Sequence, residues 1–491
     1  MPISSLPSPC GIGTMGKEAY RFADFLAAGG QSCWQVLPLG PTSYGDSPYQ
    51  AFSSFAGNPY FIDLDTLAGQ GLLKPEEYQN INWGGDPERV DYELLYNNRF
   101  QVLRLACDRL TGEDDVLGGA DWLEDYALFM ALKNKHGGAA WLEWPEDIRL
   151  RRPEAMEQAR RELAGEIEFW KRVQRLFFSQ WWALKKYANG QGISIIGDLP
   201  IYVALDSADV WANPDQFQLD ENGRPTEVAG CPPDAFTADG QLWGNPLFNW
   251  EKMKEDGYSW WLRRISFQFK LYDTLRIDHF RGFDSYYAIP YGDKTAKNGK
   301  WKPGPGIGFF KAVNKALGKK DIIAEDLGFL TPSVRRLLKD SGYPGMKVLE
   351  FAFDTRDGDS DYLPHNYPAH CVVYTGTHDN DTIQGWMASA PRKGVSFAKA
   401  YLRLSKREGY HWGMMRSAWA SPADLAVMQF QDLLGLGSGA RMNIPSTLGN
   451  NWQWRTLPGT FEEKLAKRLY REMKVYQRLP KPAAKTPKSK K

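Results

Sequence analysis

Thr274-Leu-Arg-Ile-Asp278-His-Phe280 is a short apolar run that ends in an acidic residue, and two more runs of this kind follow it. They are Asp321-Ile-Ile-Ala-Glu325-Asp-Leu327 and Cys371-Val-Val-Tyr-Thr-Gly-Thr-His378-Asp379. Continuous apolar runs of this length are typical of buried strands, and the helical patterns between them favour a parallel sheet. In such sheets the side chains just after the carboxyl ends of the strands face the ligand site. Three acids at these positions predict a catalytic site for a sugar or a phosphate.

The rest of the chain continues this alternation of strand and helix. It favours a (β/α) barrel or a doubly wound sheet, and the lack of a glycine-rich phosphate loop after the first strands disfavours nucleotide binding. The strand candidates are Cys33–Leu39, Ile193–Ile201, Thr274–Phe280, Asp321–Leu327, Lys347–Phe353, Cys371–Tyr374 and Leu425–Phe430. A closed barrel needs eight strands. The missing strand should come first, where only Met1–Pro7 precede a turn, so we expect it to be truncated or very short.

The length of 491 residues allows one large catalytic domain with insertions or two or three smaller domains, and we expect a single catalytic domain over residues 1–480, with long insertions. Residues 67–160 are charged and helix-rich, and 205–250 resemble a large functional loop rich in Pro, Gly, Asn and Asp. A smaller helical excursion covers 392–417. The Lys/Pro-rich residues 481–491 are expected to form a disordered tail.

The composition narrows the class of protein. Lys and Arg number 60 against 59 Asp and Glu, which gives no electrostatic footprint for nucleic acid or a membrane surface. The five cysteines are scattered, and no apolar run approaches membrane-spanning length, so we expect a cytoplasmic protein with reduced thiols. Aromatic residues make up 14% of the chain, and many lie in Gly/Pro-rich segments such as 44–49 and 241–246. Rings on loops suit the apolar faces of sugars.

Arg276 and Asp278 are two residues apart on a strand and therefore share a face. A neighbouring guanidinium lowers the pKa of a carboxyl and keeps it ionised, as a carboxylate nucleophile requires. The alternative is a structural ion pair at the barrel mouth.

Glu325 and Asp379 can supply the other parts of this chemistry. Glu325 shares a face with Ile323, and apolar surroundings raise the pKa of a carboxyl toward that of a general acid. Asp326 points to the other face and is expected to cap a loop. His378 and Asp379 come after the strand end, where they could bind hydroxyls or stabilise positive charge. The alternative is a turn or an oxygen cluster, but the spacing fits no EF-hand loop.

With these residues the chain resembles the 4-α-glucanotransferases of glycoside hydrolase family 77, the amylomaltase or disproportionating-enzyme family. The similarity stops before the Lys-rich tail. Its motifs are Ser5-Leu-Pro-Ser-Pro9, Gly11-Ile-Gly13, Trp34-Gln-Val-Leu-Pro-Leu-Gly-Pro41, Gly45-Asp-Ser-Pro-Tyr49, Gly197-Asp-Leu-Pro200, Arg276-Ile-Asp-His-Phe-Arg-Gly282, Ala324-Glu-Asp-Leu-Gly328 and Gly376-Thr-His-Asp-Asn-Asp381. The resemblance implies a (β/α)₈ barrel, α-retaining double displacement, and malto-oligosaccharides or starch- and glycogen-derived glucans as partners. It implies no cofactor and no metal, and we expect a monomer or a homodimer.

The resemblance also implies roles for individual residues. Asp278 would be the nucleophile, Glu325 the general acid/base and Asp379 the stabiliser of the transition state. The substrate-binding residues that it implies are Arg276, His378, Asp198, Tyr49, Ser47, Tyr44 at an outer contact, and Asp234, Gln241, Trp243 and Asn245 on a mobile loop over the site. Such an aromatic lid would keep water from the reaction.

Besides the short opening strand, two positions depart from the family pattern. Ala235 stands where an aromatic is frequent, which could loosen acceptor binding. Ser446 stands where Gly is usual, and a left-handed backbone there would strain the loop. Two alternative functions stay open at this point: an α-amylase-like hydrolase with a lid that admits water, and a catalytically silent glucan-binding protein.

Overall fold

The computed structural model describes residues 1–112, 116–233, 238–328, 330–354 and 360–480. The strands in chain order are β1 (Cys33–Gln35), β2 (Ser194–Pro200), β3 (Glu227–Cys231), β4 (Gln241–Pro246), β5 (Thr274–Asp278), β6 (Ser285–Pro290), β7 (Lys300–Pro303), β8 (Ile322–Ala324), β9 (Gly345–Val348), β10 (Cys371–Tyr374) and β11 (Leu425–Val427). The predicted tail, 481–491, lies outside the described residues.

The α-helices of the described residues separate these strands. They are α1 (Lys17–Ala28), α2 (Leu64–Gly69), α3 (Tyr92–Arg109), α4 (Leu123–Lys135), α5 (Glu146–Arg149), α6 (Pro153–Glu162), α7 (Ala164–Gly190), α8 (Ala208–Ala212), α9 (Trp250–Glu255), α10 (Ser259–Leu271), α11 (Gly306–Leu317), α12 (Pro332–Ser341), α13 (Ile383–Ser389), α14 (Arg392–Tyr401), α15 (Tyr410–Trp419), α16 (Phe430–Leu434) and α17 (Glu463–Val475). Short 3₁₀ turns span Ile3–Ser5, Pro59–Phe61, Pro75–Glu77, Trp141–Glu143, Pro214–Gln216, Phe280–Phe283, Leu349–Phe353, Pro364–Asn366 and Ser438–Ala440. No helix in the described ranges combines the length and the apolar character needed to cross a membrane.

The main sheet is a nearly closed parallel barrel. In the part of the chain that the structure describes it has seven strands, in the order β1-β2-β5-β8-β9-β10-β11, and each neighbouring pair is parallel. Every predicted run supplies one of these strands, and the predicted (β/α) barrel is confirmed. Most strands end earlier than predicted; Leu349–Phe353, for example, forms a 3₁₀ turn and does not extend β9.

The opening residues lie against the edge strand β1. The Trp34 indole donates a hydrogen bond to the Met1 carbonyl at 2.7 Å, and the Met1 amino group donates to the Gln35 carbonyl at 3.5 Å. Ile3–Ser5 then forms a 3₁₀ turn. At the place where we expected a short eighth strand, the described residues show these two hydrogen bonds and the 3₁₀ turn.

The outer helices bury regularly spaced apolar faces. Helix α7 buries Ile167, Trp170, Phe177, Trp181 and Leu184, a spacing of three, four or seven residues that keeps the side chains on one face. Among these, Trp181 is fully buried and donates its indole N–H to a backbone carbonyl at the end of α10, at 3.2 Å. Helix α7 is therefore fixed both by the packing of its apolar face and by the hydrogen bond of the Trp181 indole.

A second sheet stands beside the barrel mouth. It is antiparallel, in the order β4-β3-β6-β7. The segment 205–250 was predicted as a loop with few strands, and this was wrong for β3 and β4. Both strands are short, and β3 gains its second partner from β6, which lies outside that segment, so the sequence of 205–250 alone carries little strand signal.

Candidate active site

The carboxyl ends of β5 and β8 place two of the predicted acids side by side. The strand register pairs Ile277 with Ala324, so Asp278 and Glu325 follow at equivalent positions on neighbouring strands. The Glu325 amide donates to the Ile277 carbonyl at 3.0 Å and fixes that register. Neighbouring strands lie about 4.8 Å apart, so the two carboxyls open onto the same part of the barrel mouth.

Arg276 is the buried centre of a group of charges. Its Nη1 donates to both oxygens of Asp198 at 2.7 Å and to Asp278 at 3.1 Å. The side chains of Arg276 and Asp198 are 4% and 0% exposed, so the closer pair is shielded from water. The Arg276 Nε donates to the Met346 sulfur at 3.3 Å. Arg276 is thus fixed from three strands, β2, β5 and β9.

Burial decides the protonation of the two neighbouring carboxyls. It raises the pKa of Asp278 to about 6, although the Arg276 charge opposes the shift. The prediction that Arg276 would bring this pKa below its ordinary value was therefore wrong, because loss of solvent outweighs the arginine. The pKa of Glu325 rises to about 7, first through burial and second through the Asp278 charge. The raised pKa of Glu325 confirms the expectation from its apolar strand.

The backbone holds the carboxyl of Glu325 in place. Its two oxygens accept hydrogen bonds from the His279 amide at 2.6 Å and from the Leu327 amide at 2.9 Å. The His279 backbone has a φ of +52°, in the left-handed region, which turns the chain immediately after Asp278. The strand end of Asp278 therefore also orients its partner acid.

Tyr49 links its own loop to β2 and to the loop after β10. Its hydroxyl donates to Asp198 at 2.8 Å and lies 3.2 Å from the Nδ1 of His378. The rings of Tyr49 and His378 stack with centroids 4.9 Å apart, and Trp452 packs beside both rings. The structure therefore brings together three predicted binding residues, although they come from distant parts of the chain.

Asp379 is held by residues that the sequence alone did not assign. Asn443 donates its side-chain amide to an Asp379 oxygen at 2.6 Å, and Arg441 donates to the Asp379 carbonyl at 2.6 Å. The Nε2 of His378 lies 3.4 Å from the same carboxyl. Arg441 and Asn443 lie a few residues before Ser446, and only Ser446 was singled out from the sequence in this segment. No sequence pattern pointed to these two residues. Asn443, for example, contacts Asp379 from 64 residues further along the chain, and only the fold brings the two together.

Gln241, Trp243 and Asn245, which were predicted on a mobile loop, lie on strand β4, so the loop prediction was wrong for these three residues. Trp243 packs edge-to-face on His279 with centroids 4.9 Å apart, and its indole donates to the Gln241 side chain at 3.0 Å. Asn245 is buried, accepts a hydrogen bond from the Gln50 side chain at 3.0 Å and donates to the Val203 carbonyl at 2.7 Å, so it joins β4 to the barrel. The predicted residues Asp234 and Ala235 lie outside the described residues.

Three further predicted positions lie at the margin of the site. The Ser47 hydroxyl accepts a hydrogen bond from the Tyr49 amide at 3.3 Å and so shapes the turn before Tyr49. Tyr44 is fully exposed on the same loop and is not part of the buried cluster. Ser446 has a φ of +62°, which confirms that the position usually occupied by Gly is left-handed here.

A parallel barrel with paired carboxyls at neighbouring strand ends is an arrangement typical of carbohydrate-active barrel enzymes. Comparison with known proteins identifies the family within that class. The sequence profile of the 4-alpha-glucanotransferase family matches residues 1–459. The 4-alpha-glucanotransferase of Clostridium butyricum is 49% identical over 97% of this chain and 100% of its own length. That of Thermus thermophilus is 48% identical, with 97% of each chain covered.

Solved structures agree with the sequence comparison. Amylomaltase from Streptococcus agalactiae in complex with acarbose superposes with a TM-score of 0.95 at 42% identity, and the match covers 98% of this chain and 99% of that chain. Amylomaltase from Corynebacterium glutamicum has a TM-score of 0.74 at 19% identity, over 97% and 73% of the two chains, which is a likeness of fold. The chain belongs to the 4-alpha-glucanotransferase family, and it is a transferase enzyme.

Proposed function

We propose that this enzyme transfers segments of α-1,4-glucan from a donor maltodextrin to the 4-hydroxyl of an acceptor glucan or of glucose. The reaction is a retaining double displacement through a glycosyl-Asp278 intermediate. The observation that carries this proposal is the pairing of Asp278 and Glu325 at equivalent positions on β5 and β8, with the higher pKa on Glu325. Retaining enzymes need two carboxyls about 5–5.5 Å apart, one protonated and one ionised, and neighbouring strand ends support that spacing.

In the first step, Asp278 attacks the anomeric carbon of the donor. Glu325 gives its proton to the glycosidic oxygen, the bond between that oxygen and the anomeric carbon breaks, and the released glucan leaves with a free 4-hydroxyl at its new non-reducing end. The raised pKa of Glu325 favours a proton there near neutrality, while Asp278 ionises more readily. Asp379 is oriented by Asn443 to stabilise the positive charge that develops on the sugar ring.

In the second step, the 4-hydroxyl of the acceptor attacks the same anomeric carbon. Glu325, now a carboxylate, takes the hydroxyl proton, and the bond between the sugar and Asp278 breaks. Transfer requires that the acceptor arrive before water does. Trp243, packed on His279 directly after the nucleophile, supports an apolar wall on the acceptor side.

The remaining residues bind and position the sugar. Arg276 and Asp198 keep Asp278 in place, and Tyr49 and His378 offer hydrogen-bonding groups on the donor side. Ser47 and Gln241 shape the donor turn and the acceptor wall, whereas Tyr44 is available for an outer glucan contact. The acarbose complex of the Streptococcus agalactiae amylomaltase supports malto-oligosaccharides as ligands of this site.

The test is incubation of the purified protein with maltotriose, with the products separated by chromatography. Asp278→Asn is compared with Asp284→Asn, which replaces a carboxylate in the loop directly after β5 that accepts a hydrogen bond from Ser333 at 2.9 Å. We expect glucose together with a ladder of longer maltodextrins from the unaltered protein and from Asp284→Asn. Asp278→Asn should lose the ladder.

Two other results would contradict parts of the proposal. Shorter sugars alone would identify a hydrolase, because water would then be the acceptor. A ladder that persists in Asp278→Asn would remove Asp278 from the role of nucleophile.

A further inference from the structure

The loop 376–382, which carries His378 and Asp379, begins and ends on the same buried side chain. Thr375, directly after β10, donates its hydroxyl to Oδ2 of Asp432 at 2.9 Å. Ile383, the first residue of α13, donates its backbone N–H to Oδ1 of Asp432 at 2.7 Å. One carboxyl therefore bonds both ends of the loop, from helix α16 and across 57 and 49 residues of chain.

Asp432 is buried among hydrogen-bond donors and other acids, and its charge helps to raise the pKa of the buried Glu350 carboxyl. Asp432 is 1% exposed, and its two partners are fully buried. In the described part of the chain it forms no ion pair with a lysine or an arginine, and burial raises its pKa to about 7. A buried acid without a counter-charge is costly unless it is hydrogen-bonded, so the two bonds to the loop ends account for a carboxyl at this position.

The middle of the loop is held separately by the chain that follows Asp432. Ser438 donates to the Asp381 carboxyl at 2.7 Å, and the Asn443 amide donates to the His378 carbonyl at 3.1 Å. With its middle and both ends held, the loop has little freedom to shift. Since a displacement of about 1 Å at a catalytic group can lower a rate about hundredfold, fixing the ends bears directly on the Asp379 carboxyl.

We propose that Asp432 is a positioning residue for the glucan transfer reaction, and that it acts by anchoring both ends of the loop that presents Asp379. This inference rests on the proposed role of Asp379 as the stabiliser of the transition state. It predicts that loss of the Asp432 carboxyl lowers kcat, and any accompanying change in KM is assigned to His378, the proposed binding residue that the same loop carries. It also predicts that the effect operates through Asp379.

A double-mutant cycle with Asp432→Leu and Asp379→Asn tests the inference. Rates are measured with an α-maltosyl fluoride donor and glucose as acceptor, and each melting temperature is recorded to establish that the variant is folded. We expect Asp432→Leu to lower kcat about hundredfold alone, and to have little further effect once Asp379 is already Asn, because residues that act as one unit are not additive.

Asp432→Asn is the conservative variant. It keeps one acceptor oxygen for the Ile383 amide, so it should recover part of the lost rate. If Asp432→Leu does not fold, Thr375→Val replaces it, since Val has the shape of Thr without the hydroxyl that bonds Asp432. Thr375→Val should lower kcat about tenfold, again without further effect in the Asp379→Asn background.

Asp209→Asn is the matched control. Asp209 is also a buried carboxyl that accepts a backbone amide, that of Ser54 at 2.6 Å, but it makes no contact with the loop. Asp209→Asn should change kcat by the same factor in the unaltered protein and in the Asp379→Asn variant. If Asp432→Leu lowers kcat by the same factor with and without Asp379→Asn, the inference is overturned, because the loss of rate would then come from a general disturbance of the structure. If Asp379→Asn itself costs nothing, the proposed role of Asp379 fails instead, which is a distinguishable result.

Discussion

Replacing Asp198 with Asn removes one charge from the buried pair beneath the nucleophile. Arg276 and Asp198 meet at 2.7 Å with side chains 4% and 0% exposed. Breaking such a pair by removing one partner costs about 3–5 kcal/mol, because the other charge stays buried. Arg276 keeps a second carboxylate, Asp278, at 3.1 Å. We therefore expect the free energy of unfolding to fall by about 3 kcal/mol, at the lower end of that range.

The control has the same contact distance in an exposed setting. Arg263 and Asp121 also meet at 2.7 Å, but their side chains are 46% and 61% exposed. Pairs of that kind contribute about 0–1 kcal/mol, so Asp121→Asn should change stability little. Urea unfolding followed by tryptophan fluorescence gives both values. Equal losses in the two variants would refute the argument that burial makes the Asp198 pair important.

The same substitution has a consequence for catalysis. The Asp198 charge raises the pKa of Asp278, so its removal should lower that pKa. Because Asp278 must be ionised to attack, the acidic limb of the kcat/KM profile should move to lower pH. A limb that stays in place, in a variant that is folded, would contradict the electrostatic link between these residues.

Three further predictions concern the same site and its surroundings. The kcat/KM profile should be a narrow bell that rises near pH 6, as Asp278 ionises, and falls near pH 7, as Glu325 loses its proton; a profile flat from pH 5 to 9 would contradict these roles. Ser446→Gly should raise the free energy of unfolding by about 1 kcal/mol, since it relieves a left-handed backbone, and unchanged urea unfolding would show that the loop is unstrained. Asn443→Ala should lower kcat about tenfold to hundredfold in the maltotriose assay, because the Asp379 carboxylate loses a charge-assisted bond, and full activity would remove Asn443 from that role.

The sequence predicts the barrel well because its strands are continuous apolar runs that need no partner to be recognised. Cys371–Tyr374 is predicted to the residue, whereas the run at 347–353 fails after Val348. There the chain turns into a 3₁₀ segment that buries Leu349 and Phe353, so its apolar residues serve packing outside the sheet. Composition alone does not separate these two uses of apolar residues.

The sequence predicts a residue of the site only where the position of that residue at the end of a strand places it there. Asp278 and Glu325 were predicted together because each lies at the carboxyl end of an apolar run. Arg441 was not assigned, because it reaches Asp379 from 62 residues away through a loop without regular structure. The predicted direction of the Asp278 pKa shift was wrong for a similar reason. The shift depends on how deeply the folded chain buries the carboxyl, and the sequence shows only that Arg276 is close to it.

The most direct test of the account is to trap the covalent intermediate. A Glu325→Gln variant is mixed with α-maltosyl fluoride, whose leaving group needs no general acid, so the first step proceeds and the second stalls. We expect mass spectrometry of the digested protein to find one maltosyl group on the peptide that contains Asp278. A maltosyl group on Asp379, or hydrolysis of the fluoride without any labelled peptide, would contradict a double displacement through Asp278.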